Sequence, residues 1–120
     1  MAGKSLVLLV LLAAPVAAHA EDIQSGKLIA IRSIRTVAAE AALVADALKH
    51  GRVTRTYAEE MRQDAKDELE SLRKQAEKKN PDLLPITQQA IEATRASDIG
   101  ALRAITARLL AMEGPHGRVD

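Results

Sequence analysis

The chain has 120 residues, 48% of them hydrophobic, with 17 basic and 16 acidic side chains, one Tyr and no Cys, Trp or Phe. That length allows one domain, since domains run to about 100–200 residues. The absence of cysteine excludes a disulfide scaffold, a cysteine-ligated zinc or iron–sulfur centre, c-type haem attachment and a cysteine nucleophile.

Residues 1–20 read as an export signal. Lys4 supplies a short basic start and Leu6 to Ala14 is almost unbroken Leu, Val and Ala. Pro15 interrupts the apolar helix, and Ala18-His19-Ala20 places small residues before a cut. Leu6 to Ala18 spans 13 residues, short of the roughly 20 that a membrane-crossing helix needs. A cleaved signal peptide is expected, with a periplasmic or secreted mature chain beginning at Glu21. No Cys follows the apolar run, which excludes a lipoprotein anchor. Lys4 leaves with the signal, so the mature chain carries equal numbers of basic and acidic residues. A nucleic-acid binder needs a net basic surface, and stacking aromatics for single strands. Neither is present, so nucleic acid is excluded as a partner.

From Ile23 to Leu48, Ala30, Ile31, Ile34, Val37, Ala38, Ala41, Val44, Ala45 and Leu48 recur at steps of three and four, the spacing of one helical face. Leu28, Ile29 and Leu43 lie off that seam and widen the apolar arc, which predicts contact with more than one neighbour. Arg32, Arg35, Glu40 and Asp46 fall on the polar side. The helix should stop at Gly51, where a left-handed residue can close it.

A capping box, Thr56-Tyr57-Ala58-Glu59, predicts the start of a second helix. Its stripe is Tyr57, Met61, Ala65, Leu69, Leu72 and Ala76. Asn80-Pro81 ends it near Lys79, because helix is disfavoured before proline. Glu59 to Lys79 holds 13 charged residues of both signs, which reads as a solvated face with pairs such as Glu70 with Lys74.

Asn80 to Pro85 is a connector. Ile86, Ala90, Ile91 and Ala93 predict a third helix ending near Ala96. Ser97 or Asp98 caps a fourth carrying Ile99, Leu102, Ile105, Leu109 and Met112, and Gly114-Pro115 stops it. Nothing alternates with the period of a strand. The expected fold is all-α, a small antiparallel bundle of three to four helices, two long and then two shorter, over residues 21–114, with 115–120 a flexible tail. Seventeen of the 42 apolar residues after position 20 are alanine, so the core is thin and dimerisation would add burial.

No catalytic, cofactor or metal site is predicted. His50 and His116 show no metal-ligand spacing, and no Glu-x-x-His occurs for a di-iron bundle. The paired carboxylates Glu59-Glu60 and Asp67-Glu68 lie in the charged run, whereas a general acid needs burial. Gly100 marks a site where another backbone could approach. Lys49, His50, Arg52 and Arg55 gather positive charge at one turn; they are the candidate interaction surface, for an anionic membrane surface or a partner's carboxylates, beside the simpler role of offsetting the preceding helix's carbonyls. The reading is a non-catalytic exported bundle acting through contacts with another envelope protein or with itself. The alternative is a periplasmic stress chaperone or metal-responsive accessory protein. The Leu-Thr-x-x-Gln string of small exported chaperones does not occur; the nearest is Ile86-Thr87-Gln88-Gln89.

Overall fold

The computed structural model describes the backbone of residues 15–118 and the side chains of 25–114. The basic start and apolar run of the expected signal lie outside the described residues. Four helices follow in order: α1 (Pro15–Lys49), α2 (Arg55–Lys79), α3 (Leu84–Arg95) and α4 (Ile99–Arg118), with a 3-10 turn at Pro81–Leu83 before α3. They form a four-helix bundle, two longer and two shorter. α1 packs most extensively on α4 and next on α2, α2 packs on α3, and α3 packs on α4.

α1 begins at Pro15 rather than near Ile23. Proline is well suited to a first turn, where its missing N–H has no partner to lose. At 35 residues and about 1.5 Å per residue, α1 sets the 60 Å long axis of the molecule. Its end is a Schellman motif. Gly51 takes φ 68°, Arg52 N–H reaches the Ala47 carbonyl at 2.8 Å, and Gly51 N–H reaches that of Leu48 at 3.0 Å.

The predicted cap of α2 is corrected. Thr54, not Thr56, is the cap, and its hydroxyl accepts Tyr57 N–H at 3.1 Å. The Schellman turn releases the chain early enough for α2 to start at Arg55, so Thr56 and Glu59 both lie inside the helix. Glu70 pairs with Arg73 at 3.3 Å rather than with Lys74. The same Schellman bonds recur after α3: Asp98 N–H reaches the Ala93 carbonyl at 2.9 Å and Ser97 N–H that of Thr94 at 3.1 Å. Here the left-handed position, φ 52°, is filled by Ser97. Asp98 then caps α4, its Oδ1 accepting Ala101 N–H at 3.0 Å.

The core joins Ile31, Ile34, Val37, Ala38, Ala41 and Ala42 of α1 to Leu69 and Ala76 of α2. Leu83 of the connector, Ile86, Ala90, Ile91 and Ala93 of α3, and Leu102, Ile105 and Leu109 of α4 complete it. Three expected core residues stand in solvent instead: Tyr57, Leu48 and Met112. At the end of α4 Glu113, four after Leu109, takes the inward position, and Met112 stays in solvent. A Cβ on Gly100 would meet only Asp98 Oδ1, at an ordinary 3.7 Å, so no close backbone approach occurs there. Gly114 breaks α4 with φ 70° and ψ −172°, and helical backbone resumes to Arg118.

Candidate functional site

The predicted basic turn forms one end of the bundle. The hairpin order brings the end of α1 beside the start of α4, and Asp46 is the centre of the resulting charge cluster. His50 Nδ1 lies 2.9 Å from the Asp46 carbonyl oxygen and 3.5 Å from its carboxylate. Arg52 Nη2 is 3.5 Å from the same carboxylate and Arg103 Nη2 3.7 Å. His50 therefore serves the carbonyls at the end of α1, and part of the cationic surface is offset by Asp46. Lys49 and Arg55 are exposed at the same end. Arg62 of α2 donates to the Arg95 carbonyl at 2.7 Å, tying α3 to this end.

At the other end the structure holds a cluster that the sequence reading missed. Glu113 has a side chain with no solvent exposure, against 38% for Arg32 and 29% for Arg35. Arg32 Nε donates to Glu113 Oε1 at 3.2 Å. Arg35 Nε donates to Oε2, and Arg35 Nη2 lies 3.4 Å from Oε1. A buried carboxylate is the group an acid–base enzyme would need, and Glu113 is one, whereas the pairs Glu59-Glu60 and Asp67-Glu68 are exposed. Here both oxygens are taken by guanidinium donors from α1, so the group closes the α1–α4 seam. The signal that could have found it is its spacing: Glu113 follows Leu109 by four on the inward face of α4.

Lys27 and Asp82 make a third polar link, at 2.5 Å, between α1 and the 3-10 turn. The Lys27 hydrogen bond, assisted by its charge and by the Asp82 amide, holds the Asp82 carboxyl below its ordinary value. Among the described residues no group of three or more His, Asp or Glu converges as a metal site would.

The remaining surface feature is the outer face of α1. Ile29 is 60% exposed and Leu43 68%, and Thr36, midway between them, is exposed as well. Successive members are seven apart, so the three stand in a row along the helix. α2 and α4 flank α1 without covering this row. A shallow groove of about 280 Å³, lined by Ile29, Arg32, Ser33, Thr36, Val37 and Glu68, opens beside its first member. A second open groove, of about 610 Å³, runs between α3 and α4 and is lined by Gln88, Gln89, Glu92, Asp98, Ile105 and Arg108 among others. No helix among the described residues is long and apolar enough to cross a membrane. Comparison with protein-family models, with curated proteins and with solved structures finds no match for the chain.

Proposed function

We propose that this chain is an exported, non-catalytic helical bundle that works by contact, through the outer face of α1, with another envelope protein or with a second copy. The observation that carries the reading is the exposure of Ile29 and Leu43 in one row on the longest helix. Two large aliphatic side chains held in water on a rigid helix lose free energy that a contact regains, at about 25 cal/mol per Å² of apolar surface covered. An amphipathic helix lying along such a row is a common mode of recognition.

Three features support a role without chemistry. Glu113 has both oxygens occupied by Arg32 and Arg35. His50 is engaged with the end of its own helix. The α1 row presents aliphatic groups rather than convergent polar ones.

Export is supported by Lys4, the apolar run from Leu6 to Ala14, and Ala18-His19-Ala20. Cleavage after Ala20 would take the first turns of α1 and leave Glu21 and Asp22 at its new start, where acidic residues favour the positive end of the helix dipole.

The test uses cells making the full chain. A photo-reactive residue in place of Leu43 is expected to give a discrete protein adduct in the envelope fraction, and one in place of the exposed Lys78 on α2 is not. The intact mass of the same material should correspond to a chain starting at Glu21. Equal labelling from both positions, or a mass that retains residues 1–20, would contradict the contact role and the export role respectively.

A further inference from the structure

We infer that the occupant of the α1 outer face is the same face of a second copy, packed antiparallel about a two-fold axis at Thr36. The inference rests on the contact role argued above and names the partner.

In a two-fold antiparallel pair of helices, residues equally far before and after the axis lie opposite one another, each contact occurring twice. About Thr36 the outer face of α1 is complementary to itself under that operation. Ile29, seven before, meets Leu43, seven after, joining the two most exposed large aliphatic side chains among the described residues. Arg32, four before, meets Glu40, four after, so opposite charges face one another. Ser33 meets Ala39, and Ser25 meets Ala47, small against small, which lets the backbones come close. Thr36 meets its own copy, and a hydroxyl can both donate and accept in such a pair.

The charges are free to do this. Glu40 has no ion pair among the described residues, and Arg32 gives Glu113 only its Nε, at 3.2 Å, leaving the rest of a 38%-exposed side chain available. The groove beside Ile29, about 280 Å³, leaves room at that level for the incoming Leu43. Arg32 is offset by Glu40 on the same face and by Glu68 in the adjoining groove, so there is no net pull towards an anionic membrane, which separates this face from a lipid-binding one. A single helix pair covers less than the roughly 1,600 Å² of a standard interface, so the dimer dissociates on dilution.

The chain has no cysteine, so engineered thiols report the register directly. Thr36→Cys places two sulfurs across the axis, within the reach of a disulfide. Ile29→Cys places them 14 residues of helix apart, roughly 20 Å. Under mild oxidation, Thr36→Cys is expected to form a covalent dimer and Ile29→Cys alone is not, whereas Ile29→Cys with Leu43→Cys forms one again. Sedimentation across a dilution series should show a monomer–dimer equilibrium that Glu40→Arg weakens at least tenfold.

Equal crosslinking from Ile29→Cys and Thr36→Cys would mean parallel pairing and overturn the inference. A monomer at every concentration would overturn it too. In that case an adduct of the Leu43 photo-probe with a different protein leaves the contact role standing, and no adduct at all removes both.

Discussion

Arg35 and Glu113 are 78 residues apart in sequence, yet the Arg35 guanidinium and the Glu113 carboxylate meet where α1 crosses the end of α4, with the carboxylate sealed from solvent. The pair is asymmetric. The arginine stems from a half-buried position and can swing its charge into water, whereas the glutamate cannot leave the seam.

That asymmetry orders the cost of breaking it. Removing one partner of a buried pair costs up to about 3–5 kcal/mol when the other is left unpaired and dry. Arg35→Met leaves Glu113 with Arg32 alone and is expected to destabilise by about 2–3 kcal/mol. Glu113→Met lets both arginines hydrate and adds an apolar side chain to the seam, so its cost is expected to be about 1 kcal/mol or less. Urea unfolding of the two variants decides the matter, and the reverse order would show that Glu113 has access to water.

Ser97 and Gly51 hold equivalent places in two Schellman turns, at φ 52° and φ 68°. A side chain there is strained, and glycine is not. Ser97→Gly is expected to stabilise by about 0.5 kcal/mol after allowance for the greater freedom of glycine in the unfolded chain. Gly51→Ala is expected to destabilise by about 1 kcal/mol. Thermal melts of the two should move in opposite directions.

Asp82 is held below its ordinary value by the Lys27 hydrogen bond first, with the Lys27 charge and its own backbone amide adding to this. A carboxyl whose folded value is depressed contributes stability that is fully present above its unfolded value, near 3.9. That stability is lost as pH falls through the folded value. Both side chains are about half exposed, so the effect is small and best read by NMR. The Asp82 carboxyl should titrate below an ordinary aspartate, and Lys27→Met should return it towards the ordinary value. An unchanged titration in Lys27→Met would assign the depression to the backbone instead.

Much of this architecture is written in the spacing of apolar residues. Ile31, Ile34, Val37, Ala38 and Ala41 mark the buried side of α1 by period alone, and Gly51 and Asn80-Pro81 mark the ends of α1 and α2 by backbone chemistry. Glu113 escaped because residue type assigns a carboxylate to water, whereas its angle on α4 places it beneath Arg32 and Arg35. Their partnership across 81 and 78 residues leaves no local trace. The apolar type of Met112 likewise predicts a core position that it does not occupy. Glu59 completes a capping-box pattern with Thr56, two residues beyond the true cap, whose position is set by where the Gly51 turn releases the chain. Ile29 and Leu43 show in the sequence as an excess of apolar arc. Only the packed bundle shows that neither α2 nor α4 covers them.

The contact role is tested most directly by separating it from folding in one variant, Ile29→Glu with Leu43→Glu. Both positions are exposed on a helix, so the melting midpoint should stay within about 4 °C of the parent. A photo-reactive residue at Thr36 should at the same time lose the protein adduct it gives in the parent background. Retention of that adduct, or its loss together with collapse of the melting transition, would contradict a surface that serves contact rather than the fold.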